Sequence, residues 1–261
     1  MVARRAGAAP LSVAARALSL LGAFDSDHVA LTLSDLARRT DLPVATCHRL
    51  VHELVEWGAL IRIDGQYRIG HRIWSLGLLA PVHRGLSEIA NPFMQDVLQV
   101  TKNVVNLSVL DGDRALMLDR ISGTSVGRAV RRVGDRLSLH ASAGGKVLLA
   151  NAPADVVESA LHNPERHTRH TIVDPDRIRK EMAEVRRRGY AITVEETALG
   201  TSGAAVPVVG LDGRVIAALG VVMVGRQANP GAIVPVLQVA ARGIARQVQL
   251  SAGFGYEDVH D

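Results

Sequence analysis

One cysteine, Cys47, stands among 261 residues. That excludes an internal disulfide and a multi-cysteine metal cluster. Lysine is almost as scarce: Lys102, Lys146 and Lys180 are the only ones among 30 basic residues. Arginine supplies the rest along the whole chain, as a genomic composition bias would. No uncharged apolar run reaches the roughly 18–20 residues that span a bilayer. No secretory leader is legible, because Arg4 and Arg5 lead into a stretch with Pro10 and then a helix carrying Arg16. Internal repeats and low-complexity segments are missing as well. These absences predict a soluble, cytoplasmic protein with no membrane partner and no bound cofactor.

What is present argues for more than one domain. The chain is long enough for two, and 48% of its residues are hydrophobic, enough to build real cores. The net charge of +4 is compatible with a nucleic-acid partner. It is not concentrated at the amino-terminal end: residues 1–72 hold nine arginines against seven acidic residues.

The most informative stretch runs from Thr32 to Gly70. A first helix is expected over Leu11 to Phe24, capped by Ser12, with Ala14, Ala17, Leu18 and Leu21 as its apolar stripe. Thr32 opens a second helix, with Asp35 placed for a capping box and Leu33, Leu36 and Ala37 inward. Thr40-Asp41-Leu42 makes a turn, and Pro43 suits the first turn of a third helix reaching about Trp57. Cys47, Leu50, Val51, Leu54 and Val55 give that helix its apolar face. Cys47 therefore reads as a buried packing residue rather than a redox sensor. Gly58 ends the helix. Leu60–Ile63 and Gln66–Ile69 flank Asp64-Gly65, a hairpin signal because both turn residues need positive φ. Helix, turn, helix and hairpin is the plan of a winged helix-turn-helix, a module that enters the DNA major groove. Thr46, His48 and Arg49, early on the polar face of the third helix, are the candidates for base and phosphate contacts. Arg38, Arg39 and the wing residue Arg68 are phosphate candidates.

Beyond the wing, helical signals interrupted at Gly77, Pro81 and Pro92 suggest a linker helix and a helix opening a second domain. Strands are expected at 104–110, 114–121, 126–132, 190–194, 203–209 and 214–223. Helices are expected at 142–150, 153–162, 175–188 and 230–250. The pattern predicts an α+β domain with a mostly antiparallel sheet. The expected division is 1–72 for the DNA-binding domain, 73–90 for the linker helix and 91–261 for the second domain.

Three segments carry a family likeness. They are LSVAARALSLLGAF with the helix-turn-helix and wing through YRIGHRIWSLG, then LHASAGGKVLLA at 139–150, then GYAITVEETALGTSGAAVPV at 189–208 followed by GRVIAALGVV. In that order they resemble the IclR-type bacterial transcriptional regulators across nearly the whole chain. The resemblance implies a GAF-like carboxy-terminal domain that senses a small molecule, and a homodimer or dimer of dimers on a double-stranded operator. Carried over by position, the effector contacts fall on Val126, Ala129, Ala143, Gly144, Thr193, Thr201, Gly203, Gly220 and Val222. At 203, 220 and 222 some members have Cys or Ser, so these residues imply a larger, less polar ligand here.

Other motifs have blander readings. Gly144-Gly145-Lys146 fails as a phosphate loop, since His140 and Val147 stand where glycine and a hydroxyl residue are needed. It reads as a helix start whose small residues let a carboxylate approach backbone amides. His162, His167 and His170, with His140 upstream, read as solvent-exposed histidines, with a metal site as the alternative. Glu195 and Glu196 lack a positioned partner for acid–base work and read as residues holding a loop. No nucleophile–base pair is legible, so an enzyme is not expected. A DNA-binding regulator with an effector domain is the leading reading. The alternative is a second domain that only oligomerises or binds a protein.

Overall fold

The structure is a computed structural model. It describes residues 12–252 apart from 26, 78, 80–84, 124–130 and 226–228. The chain divides into two compact units between Ala80 and Pro81.

In the first unit, α1 (Val13–Leu21) is capped by the Ser12 hydroxyl, which accepts from Ala15 N. α2 (Leu33–Thr40) starts at a full capping box between Thr32 and Asp35. Asp41 closes that helix in the left-handed region, and α3 (Val44–Glu56) follows Pro43. β1 (Leu60–Ile63) and β2 (Gln66–Ile69) pair antiparallel around Asp64 and Gly65, both at positive φ. The core joins Leu20, Leu36, Cys47, Leu50, Val51, Leu60 and Tyr67. A bridge between Leu31 and Tyr67 ties the wing to the segment ahead of α2. α4 (His71–Gly77) follows the wing, and Arg72 returns to Trp57, stacking on its ring and donating to its carbonyl.

The second unit is built on a six-stranded sheet in the order β5-β4-β3-β8-β7-β6. Its strands are β3 (Val104–Asp111), β4 (Arg114–Ile121), β5 (Arg136–Ser138), β6 (Ala191–Val194), β7 (Thr201–Val209) and β8 (Val215–Val224). Every pairing among them is antiparallel. Strand alternation gives the sheet two covered faces. Val105, Leu107 and Val109 join Leu219 and Val206 in one core with α5 (Leu86–Thr101) and the long α9 (Val234–Ala252). The opposite face is covered by α6 (Ala143–Ala150) and α8 (Pro175–Arg188), with α7 (Ala154–His162) beside them. This is the α+β fold with an antiparallel sheet.

Several local expectations are corrected. Ser12 is the cap, so α1 begins at Val13, and it ends at Leu21. Its inward residues are Ala17, Leu20 and Leu21, while Leu18 stands 66% exposed and Ala14 is also exposed. α1 is apolar on more than one side, and packing on α3 chose which. Pro92 does not interrupt a helix but lies inside α5. The lost hydrogen bond is offset by burying Ala90, Met94 and Val97, and Gly243 of α9 lets the Phe93 ring lie against its backbone. The proposed linker helix over 73–90 is not one element: α4 ends at Gly77 and α5 begins at Leu86. Most of the strand expected at 126–132 lies outside the described residues, and Arg131 and Arg132 are not in a strand. Arg136–Ser138 pairs with β4 instead.

Candidate functional sites

On the first unit, α2, its left-handed turn and α3 present one exposed polar surface, with the wing beside it. His48 and Arg49 are exposed on α3 and Thr46 is half-buried. Among the described residues Arg49 meets only Glu53, at 3.4 Å and one turn on. An exposed pair of that kind contributes about 0.3–0.5 kcal/mol, so the guanidinium is readily redirected. Arg38 is exposed and pairs with Asp35, and Arg68 is exposed on β2. Arg39 differs: it donates to the Ala23 carbonyl and pairs with Asp25, so it ties α2 to the end of α1. Cys47 is fully buried, and burial pushes its thiol pKa up, which keeps it protonated and unreactive.

On the second unit, the carried-over residues within the described chain gather where α6 begins, over the sheet face opposite α9. Val126 and Ala129 lie outside the described residues. Ser142 caps α6, taking a hydrogen bond from Gly145 N, and Lys146 N donates to the Ser142 carbonyl. The two amides between, on Ala143 and Gly144, donate to nothing among the described residues. A side-chain carbon at Gly144 would stand 3.7 Å from the Ser108 hydroxyl. One at Gly203 would stand 3.2 Å from the Thr193 hydroxyl and 3.5 Å from Ala143. Ser108 and Thr193 are both buried, and neither hydroxyl makes a hydrogen bond among the described residues. Thr201 spends its hydroxyl on the Ala198 carbonyl.

The glycines do not enlarge this site as the sequence suggested. At Gly220 an added carbon would lie 3.1 Å from the Ala204 carbonyl and 3.2 Å from the Ala205 side chain, so the missing volume is taken up by close packing of β7 on β8. Gly145 likewise cannot carry a side chain, since its carbon would meet the Leu139 carbonyl at 2.7 Å. Polarity comes back from a strand the sequence reading left out. Asn106 and Ser108 share the α6 face of β3, and the buried Asn106 Oδ1 has no hydrogen-bond partner among the described residues.

Beside this face lies a buried ionic cluster. Lys146 Nζ is 2.6 Å from Glu196 and 2.8 Å from Glu181. Burial pushes the Glu196 pKa up despite the adjacent ammonium. Glu195 holds the loop between β6 and β7: its carboxylate accepts from Gly200 N and its carbonyl accepts from Thr168 Oγ1. Thr171 Oγ1 donates to the Glu196 carbonyl. Among the described residues no group of three His, Cys, Asp or Glu side chains could hold a metal ion. His162 and His170 are exposed, but His140 is buried and His167 half-buried. His140 stacks on His167, which reaches Ser138 Oγ at 2.8 Å. An open concavity of about 330 Å³, lined by Arg166, Arg169, His170 and Arg177 among others, lies at the start of α8.

His140 carries a pH prediction. Its ring is bonded to the Glu165 carbonyl through Nε2, and burial, with the nearby His167, Lys146 and Arg114, holds its pKa below the ordinary value. The native state therefore takes up this proton less readily than the unfolded chain. The stability it supports is present above about pH 6.5 and is lost as pH falls. The second unit should lose denaturation free energy between pH 7.5 and 5.5, and His140→Gln should flatten that slope. An identical slope in the variant would assign the acid sensitivity elsewhere.

A winged helix-turn-helix joined to an α+β domain with an open polar site is the build of a ligand-responsive DNA-binding regulator. The comparisons agree. The IclR helix-turn-helix domain model matches residues 13–62, and the model of the carboxy-terminal domain of bacterial transcriptional regulator IclR matches residues 80–249. The chain is 30% identical over 191 residues to the transcriptional repressor IclR of Escherichia coli, covering 71% of this chain and 70% of that one. It is 33% identical over 196 residues to the regulator BhcR of Paracoccus denitrificans, covering 73% and 70%. A solved IclR homolog from Microbacterium hydrocarbonoxydans, in complex with 4-hydroxybenzoate, superposes with a TM-score of 0.84 at 36% identity, covering 92% of this chain and all of that one. The chain belongs to the IclR family of DNA-binding transcriptional regulators. Its curated relatives are named as repressors and regulators, not enzymes.

Proposed function

We propose that this regulator reads a roughly palindromic operator as a homodimer or dimer of dimers, and that a small carboxylate-bearing molecule binding at the start of α6 shifts its operator affinity. Thr46, His48 and Arg49 are assigned to bases and phosphates, and Arg38 and Arg68 to phosphates. The single observation behind the effector half is the start of α6. Two amides on Ala143 and Gly144 that donate to nothing among the described residues, at the positive end of a helix dipole, stand beside Ser108 and Thr193, buried residues whose hydroxyls make no hydrogen bond among the described residues. Donors gathered without protein partners favour a carboxylate as occupant. Thr193, Thr201, Gly203, Gly220 and Val222 line the neighbouring sheet positions, and Val126 and Ala129 keep their assignment by position. Exposed apolar residues on α1 and α4, among them Leu18 and Trp74, suit self-association. The site of action is the cytoplasm, where the operator is.

The test is a fluorescence-anisotropy titration of a labelled duplex found by footprinting upstream of the protein's own gene. Arg49→Ala should weaken binding by about 1–3 kcal/mol, and wild-type affinity should fall steeply with salt. The neighbour's ligand makes 4-hydroxybenzoate the first probe for an operator shift and a thermal shift. Unchanged affinity in Arg49→Ala would remove Arg49 from recognition. If no small organic acid moved either reading, the second unit would be an oligomerisation or protein-binding domain.

A further inference from the structure

The α6 face of the sheet has a second polar pole, formed by groups that no other described residue uses. In β3, Asn106 pairs with Gly220 of β8 on one side and with Arg120 of β4 on the other. Residues paired across strands project to the same face, with side chains about 4.5–5.5 Å apart. Asn106 and Arg120 are therefore neighbours over the same side of the sheet as Ser108 and the start of α6. Gly220 contributes no side chain to separate them from that helix.

Both groups are unspent. Asn106 Oδ1 is buried without a partner. The half-buried guanidinium of Arg120 makes no hydrogen bond or ion pair among the described residues, and burial alone lowers its pKa. Segment 124–130, which follows β4 in sequence, contains no acidic residue that could neutralise it. A partly desolvated charge and an orphaned acceptor side by side each cost free energy, and a ligand that pairs with both recovers it.

We infer that Asn106 and Arg120 are specificity-determining residues that read a hydroxyl at the far end of the effector from its carboxylate. The chemistry selects the group. Arg120 can only donate, and the free Oδ1 of Asn106 can only accept. A hydroxyl satisfies both at once, accepting from the guanidinium while donating to the carboxamide oxygen. A second carboxylate would satisfy Arg120 but face the Asn106 oxygen with no proton to give. A plain hydrocarbon would leave the Asn106 oxygen unpaired and cover Arg120 without giving it a partner. Spacing selects the body. Ser108 lies under Gly144 at the start of α6, and Asn106 is two residues back along β3, about 6.6 Å away. One six-membered ring with para substituents spans that gap. The effector class is a para-hydroxylated cyclic or aromatic acid.

This inference rests on the carboxylate reading above, and one experiment separates the two. Benzoate and 4-hydroxybenzoate are titrated calorimetrically into the full chain, wild type, Asn106→Leu and Arg120→Gln. Wild type should prefer the hydroxylated acid by about tenfold or more, the scale of a hydrogen bond to a charged group. Each variant should cut the preference to about twofold or less, read as the ratio of the two affinities within that variant, so that any change common to both acids cancels. Absence of a preference in wild type, or its survival in both variants, overturns the inference. If neither acid binds wild type, the carboxylate reading fails for these probes, and thermal melting of the free protein decides the present one. Replacing an orphaned acceptor with leucine should raise the melting temperature by about 2–4 °C. A lower melting temperature would mean that Asn106 holds the fold, which also overturns it.

Discussion

Replacing Lys146 with methionine should destabilise the second unit by about 3–5 kcal/mol, the range found when one partner of a buried ion pair is removed. Lys146 is 3% exposed and sits against two carboxylates, Glu181 and Glu196. Methionine fills most of the volume, so the loss reports charge rather than a cavity. The remaining carboxylates would face each other in a poorly solvated site with no cation. Glu196 already has a raised pKa from burial. A carboxyl whose folded pKa stands above its unfolded value binds a proton more readily when native, so its stabilising effect grows as pH falls. The variant's deficit should therefore narrow from pH 7 toward pH 5. Urea unfolding followed by circular dichroism measures it. A deficit below about 1 kcal/mol would show that the cluster contributes little net stability, and a larger one unchanged at pH 5 would show that the loss does not come from the uncompensated carboxylates.

The second large effect belongs to the other unit. A side-chain carbon at Gly70 would stand 2.2 Å from the Gly58 carbonyl oxygen and 3.1 Å from the Ala59 backbone. No rotamer relieves a clash between backbone atoms and a first side-chain carbon. Gly70→Ala must displace the end of β2 and strain the bond from Gly70 N to the Ala59 carbonyl. Overpacking of this kind costs about 1–3 kcal/mol or more, and it is concentrated at the base of the wing. Operator affinity should fall with it, while ligand binding in the second unit should hold. Both tryptophans, Trp57 and Trp74, lie in the first unit. Tryptophan fluorescence should therefore show the Gly70→Ala loss and pass over the Lys146→Met loss. A wild-type fluorescence midpoint in Gly70→Ala would mean that the wing base adjusts without cost.

Much of the first unit was legible because its signals are local. A capping box, a left-handed turn, a helix with one apolar face and an Asp-Gly hairpin each depend on residues a few positions apart. Thr32–Asp35 and Asp64–Gly65 accordingly stand as expected. Arg39 reads in sequence as a phosphate candidate, but its partners Ala23 and Asp25 are fourteen or more residues away. That separation hides the tie from any local pattern. Helices and strands of the second unit were also legible to within a few residues. Pro92 was one exception, where buried contacts outweighed a local helix breaker, and the short strand Arg136–Ser138 was another.

The candidate effector site was harder to read because it is assembled across strands. Alternation along Val104–Asp111 could have placed Asn106 and Ser108 on one face. It could not say that this face meets α6 and not α9, nor that Arg120 stands beside Asn106. The register shift between Leu107 and Ser108 has no marker in the sequence. His140 and Lys146 likewise looked like ordinary polar residues, and only burial made one resist protonation and the other hold two carboxylates.

By itself, then, the sequence determined the winged helix-turn-helix, the α+β class of the second unit and the family, because periodicity, capping and turn chemistry are written in neighbouring residues. Tertiary structure alone decided which polar groups are left without partners. A hydrogen-bond donor or acceptor is spent or unspent only once the chain has folded around it, and its partners come from any distance along the chain. On that ground Arg39 became a structural tie, the glycines at 203 and 220 became sites of close packing, and Asn106 and Arg120 became neighbouring polar groups without a partner among the described residues.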